Sequence, residues 1–473
     1  MKKDYTVLIL FFIPILFWLI IYWGYGFDGL YGQDSYEYLR YANAIRNFIL
    51  TGENPGDYFW PLYYPIFGAI VSLVIKNTVI SLQLISVLSL SVSSIYLYKL
   101  MLLVFPFKKK ITALYTILFF IFSPFVIRSS MIIMSDILAT CFIILTVYNF
   151  YKFKINTTIF NFYNIAVFSA LALMTRYACA VVLIPIVMAS SFYFFKTRGL
   201  IKHIPFLILI SCFLLFPHFV VRYSNYGSFL SHQWLQNWSL AHFFQSSFTT
   251  IDGSSYNLFP NLIYGFSNFF HPGYLLFGLP FIFLIFLKPI AKYSTSILLF
   301  SVVLYAFFLA GIPFQNNRFL LLSFPLVILV LFPAFDYLNE IFSRKLIYIG
   351  SILILSIQLV LTARAFKPTL ERNNFEVEMV KLMKPYQDKT LYSFDVDVAL
   401  KGRGLDFEYH NLWGKKYTNY KQGDLVLFHP TKFEEQWKGK NPMLNWNFLS
   451  SHFKLKPLLN CPDGWQLYQI QTH

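Results

Sequence analysis

The sequence predicts a polytopic α-helical membrane protein of about eleven spans, followed by a small soluble α/β domain. Two observations predict the membrane part. Runs of about 20 apolar residues, each long enough to cross a hydrocarbon layer, recur through residues 5–364. The chain of 473 residues is also 57% hydrophobic and 21% aromatic but only 13% charged, roughly half the charge of an ordinary soluble domain. The third observation concerns residues 365–473, where the long apolar runs stop and short strand-like stretches replace them. Neither the two-residue alternation of a membrane barrel nor a repeat of 20–50 residues is visible.

The net charge of +16 raises the question of nucleic acid, and its distribution answers it. Lys2 and Lys3, Lys108 to Lys110, Lys152 and Lys154, Lys196 and Arg198, Lys288 and Lys292, and Arg344 and Lys345 fall at alternate span ends. This is the positive-inside pattern, which orients the chain and meets anionic lipid, so a nucleic-acid role is excluded. Cys141, Cys179 and Cys212 lie in apolar runs and Cys461 stands alone beyond them. No disulfide framework or metal-type cysteine spacing results.

The elements follow in order. A basic start leads into the apolar run Tyr5–Trp23 with no small-residue cleavage site, which reads as an uncleaved first span. Residues 24–78 form an outer segment with a helix at Ser35–Leu50 and a turn at Gly52–Gly56. Pro61–Ile75 is too short to span comfortably; crossing would also put Lys108 to Lys110 outside, so it is laid on the outer surface. Further spans are expected at about 79–98, 111–127, 134–151, 158–174, 178–195, 203–221, 273–288, 294–312, 319–335 and 346–364. The long loop 222–272 and the soluble domain then lie outside. Within that domain Thr390–Phe394, Asp424–Phe428 and Trp465–Ile470 read as strands.

Five ionisable residues, Asp34, Asp136, Arg176, Arg222 and Arg318, collect at the outer ends of these spans. Ionisable groups at such depths are costly and mark working sites. Asp34 followed by Glu37 fits a capping box, and a carboxylate there also suits a general base taking a proton from an acceptor hydroxyl. Asp136 suits a helix N-terminus, a rim ion pair with Arg128, or a substrate contact. Arg176 and Arg318 defy the positive-inside rule. Each either snorkels to headgroup phosphate or holds the phosphate of a lipid-linked substrate with planar, permanently charged donors. His232, His242 and His271 lack metal-ligand spacing, and the Asp395–Asp397 D-x-D is read as a solvated loop.

The loop Asp34-Ser35-Tyr36-Glu37-Tyr38-Leu39-Arg40-Tyr41-Ala42 resembles the first-loop motif of GT-C glycosyltransferases, nearest to bacterial protein-mannosyltransferases and aminoarabinose transferases. Trp60-Pro61-Leu62-Tyr63-Tyr64-Pro65, Ser135-Asp136, Thr175-Arg176-Tyr177, and Arg318-Phe319 with Pro325 follow in that family's order across residues 5–335. The chain departs from the family pattern at Ser35, where many members are acidic, and at Gln83, where many have arginine. The resemblance implies a GT-C-type fold and transfer of a sugar from a polyprenyl-phosphate donor, with inversion, to a glycan, lipid or protein hydroxyl. It implies Asp34 as base and Arg318 and Arg176 at the departing phosphate. Asp136, Tyr63 and Glu37 are the further expected substrate contacts. No cofactor is required by it, and with Ser35 after Asp34 no metal site is supported. The implied location is the bacterial inner membrane, with site and C-terminus extracytoplasmic.

Two other readings compete. A glycolipid flippase would show an internal repeat or mid-membrane charges, and the charges here sit at span ends. An O-antigen-type polymerase or ligase shares an outer arginine-rich site, but fits the early Asp34 motif and the terminal domain poorly. The expected topology is testable with alkaline phosphatase fusions. Fusion after His473 should be active and fusion after Lys110 inactive; the reverse pattern would invert the orientation.

Overall fold

The computed structural model of the protein describes residues 5–105, 108–197, 199–226, 237–246, 248–249, 255–256, 259–287, 295–313 and 315–471. His232 and the side chain of Arg222 lie outside the described residues. The apolar runs form helices: Thr6–Tyr25, Thr78–Val104, Asp136–Ile155, Ile159–Thr175, Cys179–Lys196, Ile204–Tyr226, Gly278–Leu287, Ser296–Ala310, Phe324–Ile341 and Arg344–Met383. Among the described residues seven helices have the length and composition to cross a bilayer, or eight if one bent pair is a single span.

Fewer full-length helices than the eleven expected arise for local reasons. The expected span 111–127 is broken: Lys109–Ile121 and Pro124–Met131 meet at 65°. Pro124 has no N–H to continue the helix, and it holds Ser123 in extended backbone (φ −60°, ψ 122°). The expected span 273–288 begins as turns. Gly278 there packs so closely that a Cβ would lie 1.5 Å from the Phe269 carbonyl oxygen. Ile159–Thr175 and Ser296–Ala310 are apolar but shorter than a full crossing. Tyr63–Ile75 is a 13-residue helix packed on Thr78–Val104, its Tyr64 hydroxyl donating to the Leu82 carbonyl at 3.0 Å.

Side-chain contacts pair residues that the alternation of spans assigns to the same end. Asp136 meets Arg176, and the Arg318 guanidinium lies 3.7 Å from Met134 Sδ. At the other ends, Lys108 Nζ bonds Asp336 at 2.5 Å and Glu340 at 2.6 Å, and Tyr163 bonds His203 at 2.8 Å. Helices distant in sequence also pack: Thr6–Tyr25 and Asp136–Ile155 on Thr78–Val104, and Cys179–Lys196 on Ser296–Ala310.

Residues Met1–Gly29 and the bulk of 41–367 cluster by contact into one unit; Leu30–Arg40 and Pro368 onward cluster into a second. The second unit contains a five-stranded sheet. Its strands are β1 (Thr390–Ser393), β2 (Glu408–Asn411), β3 (Leu425–Phe428), β4 (Lys454–Asn460) and β5 (Gln466–Gln471). Their order is β2-β1-β3-β5-β4, with β1 parallel to β2 and β3, and β5 antiparallel to β3 and β4. Central β3 is apolar and buried throughout, as a strand covered on both faces must be. Trp465, Phe433 and Met379 belong to the same buried core.

The D-x-D reading as a solvated loop is corrected here. Asp395 pairs with Arg372, and Asp397 is only 6% exposed, with one carboxylate oxygen accepting from Asn411 at 2.8 Å and the other unbonded to protein. Burial raises its pKa from 3.8 to about 6, with neighbouring Asp395 adding to the rise and the Asn411 hydrogen bond opposing it. Between these values the folded domain holds a proton that the unfolded chain has released, so stability falls as pH rises through this window. The Asp397→Asn variant should therefore be more stable at pH 7, by up to about 3 kcal/mol, and lose that dependence. Hydrogen exchange of β1 and β2 in the full-length protein, compared with wild type at pH 4.5 and 7, measures it. Equal protection of the two proteins at both pH values would refute the assignment.

Candidate active site

In the first unit the structure gathers three of the expected residues around one turn. The broken helix ends at Met131, the chain runs through Ile132–Ser135, and Asp136 opens the next helix, where its carboxylate meets the positive helix end. Arg176 is the C-cap of Ile159–Thr175, in extended backbone (φ −159°), three residues before the helix at Cys179. That tight link between two antiparallel helices turns its guanidinium inward. Arg176 Nη1 donates to Asp136 Oδ1, with the two side chains 14% and 1% exposed.

Arg318 lies in the 3₁₀ turn Asn317–Leu322, and its own amide donates to the capping Asn316 Oδ1 at 3.1 Å. The turn is pinned from several sides. Tyr274 donates to the Asn317 carbonyl, Tyr305 to that of Phe319 at 2.8 Å, and Thr140 to that of Leu321 at 3.3 Å. The Phe319 ring carries both cations: the Arg176 guanidinium lies 5.4 Å from its centroid and that of Arg318 5.7 Å. Phe319 thus holds two guanidiniums against one ring, each in a fixed position. Arg128, read as a rim partner of Asp136, is instead within electrostatic reach of Tyr274, and the carboxylate goes to Arg176.

The other expected residues stand elsewhere. Tyr63 donates its hydroxyl to the Leu214 carbonyl at 2.7 Å, tying its helix to Ile204–Tyr226. Gln83 donates to the Met131 carbonyl at 2.9 Å, with its other amide atom buried and unbonded to protein. His242 bonds the Gly311 carbonyl at 2.8 Å, and His271 stacks on Phe125. Among the described residues no group of three or more His, Cys, Asp or Glu is placed to hold a metal.

Asp34 and Glu37 belong to the second unit. The helix there starts at Gly32 rather than Ser35, so Asp34 sits inside its first turn and the capping box is not formed. Ser35 Oγ takes the capping role, accepting from Tyr31 N at 2.7 Å and donating to the Tyr31 carbonyl at 2.9 Å. Glu37 turns to Arg40, which donates to it twice at 2.5 and 2.7 Å. Sequence reasoning missed Tyr274 and Tyr305, which show no charge or motif, and the buried acid Glu376, signalled only by Arg372 four residues before it.

The fold is that of a multi-pass helical membrane protein with a small terminal sheet domain. The comparison with known proteins agrees: residues 60–221 match the family described as dolichyl-phosphate-mannose-protein mannosyltransferase. The chain is similar in structure to ArnT from Cupriavidus metallidurans bound to undecaprenyl phosphate, with a TM-score of 0.62 at 10% identity over 98% of this chain and 97% of that one. Against the same protein in its apo state the TM-score is 0.56 at 10% identity, over 96% and 97%. No curated protein sequence matches. The matched segment takes in the stretches Trp60–Pro65, Ser135-Asp136 and Thr175–Tyr177, and the solved structures share the fold of nearly the whole chain.

The Asp136–Arg176 pair generates a stability test. Asp136→Leu leaves a buried guanidinium without its counter-charge and should cost about 3–5 kcal/mol, whereas Asp136→Leu with Arg176→Met should recover most of it. Thermal unfolding in detergent reads both. Additive losses in the double variant would show that the two side chains act independently.

Proposed function

We propose that the protein is a membrane glycosyltransferase that moves a sugar from a polyprenyl-phosphate donor to a hydroxyl acceptor, inverting the anomeric carbon, on the extracytoplasmic face of the inner membrane. The observation that carries this reading is the pair of fixed guanidiniums, Arg176 and Arg318, beside Phe319. They stand in a fold similar over nearly its whole length to a protein seen with undecaprenyl phosphate. A phosphate monoester suits this site, because planar guanidinium donors match its oxygens and stay charged at any working pH.

In the proposed reaction Asp34 accepts the proton of the acceptor hydroxyl as that oxygen attacks the anomeric carbon from the face opposite the phosphate. The bond from carbon to phosphate oxygen breaks with its electron pair, and the polyprenyl phosphate departs with an added negative charge. Arg318 and Arg176 meet charge that is greater in the transition state than in the bound donor, which is the condition for accelerating the step. Asp136 fixes Arg176 without reorganisation during the reaction. Tyr63 and Glu37 are assigned contacts to donor and acceptor. With leaving-group charge met by the arginines, the reaction needs no cofactor. The acceptor class is a glycolipid, a polysaccharide or a protein.

The test is turnover of radiolabelled polyprenyl-phosphate sugars by the purified protein with envelope acceptors. Wild type should consume one donor, Asp34→Asn should lose about 10²–10⁴-fold in kcat while still binding that lipid, and Arg318→Ala should lose turnover as well. A wild type inert toward every donor, yet moving a labelled glycolipid between leaflets, would overturn the reading in favour of a flippase.

A further inference from the structure

The second unit contains a buried polar network that the proposed reaction does not use. Tyr36, 3% exposed, donates its hydroxyl to Glu376 Oε2, and Arg403 Nε donates to the same hydroxyl at 2.9 Å. Glu376 is itself 1% exposed and receives Arg372 Nε at 2.7 Å. Arg372 continues to both carboxylate oxygens of Asp395 at 3.0 and 3.1 Å, and Arg403 continues to Asn373 Oδ1 at 2.8 Å. The network thus joins two acids, Glu376 and Asp395, to two arginines, Arg372 and Arg403. Its last element is a glycine: a Cβ at Gly402 would lie 2.3 Å from the Tyr36 ring, so the ring seats directly against the backbone of the helix Val396–Gly402.

The architecture of this network is directional rather than adhesive. A buried aromatic ring without a hydroxyl would hold the loop by apolar burial alone, and replacing buried ions with apolar groups of similar volume is often neutral or stabilising. A fully partnered polar network instead specifies one orientation, because any rotation leaves buried charges unpaired at high cost. What it orients is the first turn of the helix Gly32–Thr51. Residues two apart on a helix are separated by about 200°, so gripping Tyr36 from one side turns Asp34 to the opposite side. The Ser35 hydroxyl between them, bonded to both Tyr31 N and Tyr31 O, leaves that turn little freedom to unwind.

We propose that Tyr36 is a positioning residue: held by Glu376 and Arg403 and seated on Gly402, it makes the soluble domain the element that aims Asp34. The inference rests on the reading of Asp34 as base. It assigns the soluble domain a part in the chemistry through the loop it grips.

The experiment uses the full-length protein in nanodiscs with the donor that wild type consumes, comparing Tyr36→Phe, Gly402→Ala and Val426→Ala. Val426 is buried in the centre of the sheet and is not among the residues of the network, so Val426→Ala lowers the domain's stability without touching the clamp. Tyr36→Phe and Gly402→Ala should each lower kcat about ten-fold or more, since misplacement on the ångström scale costs that much, with KM for the donor within about two-fold. Val426→Ala should lower the unfolding temperature with kcat kept. Should Tyr36→Phe fail to fold, Gly402→Ala carries the test, with Gly402→Ser expected to behave like it. An active wild type whose Tyr36→Phe and Gly402→Ala forms keep kcat within two-fold overturns the positioning role alone, as does an equal kcat loss in Val426→Ala. A wild type inert with every donor overturns the transferase reading, and the aiming of a base falls with it.

Discussion

The ion pair between Asp136 and Arg176 is the constraint on which the rest of the transmembrane site depends. Both residues begin or end largely apolar helices, where an unpaired charge is costly. Bringing them together fixes the junction of Ile159–Thr175 with Cys179–Lys196 against the start of Asp136–Ile155. That junction in turn sets the guanidinium over Phe319 and so defines the floor on which Arg318 sits. A buried pair of this kind contributes little net stability, because desolvation offsets its attraction. Its value is a fixed charge at a known place.

The apolar runs and the end-of-span charges were legible because the bilayer imposes a length and a charge rule on every crossing. The break at Pro124 was written in the sequence but sat inside a run apolar enough to look continuous. Strand β2, Glu-Tyr-His-Asn, and strand β4, with Pro457 and a bulge between Pro457 and Leu459, were missed because edge strands show neither apolar alternation nor strong β-propensity. At the site, Asp136, Arg176 and Arg318 could be read as anomalies of charge. Their assembly on Phe319 could not, since it depends on contacts between helices far apart in sequence. The same holds for Tyr36 and Glu376, 340 residues apart.

The two acids of the D-x-D illustrate how far local reading reaches. Spacing alone gave two solvated carboxylates. In the fold Asp395 adopts a positive φ of 75° and caps the arginine that supports Glu376, while Asp397 is drawn under the sheet with Asn411. The difference comes from the crossover between the parallel strands β1 and β2, which passes through both residues and buries one of them.

The aromatic excess of the chain has a physical use beyond filling the bilayer core. Tyr63, Tyr64, Tyr115, Tyr274 and Tyr305 each send a hydroxyl to a backbone carbonyl of another element. In a medium without water an unmet carbonyl is expensive, and a tyrosine supplies a donor from a rigid, largely apolar body. Two of these hydroxyls land on Asn317 and Phe319, the residues flanking Arg318, where the 3₁₀ turn leaves carbonyls without the regular helical partner. The turn is thus held by donors that carry no charge of their own, and the positive field at the site comes from the arginines alone. Irregular backbone at membrane depth is tolerated where protein groups satisfy it, and here that irregularity presents a cation in a set direction.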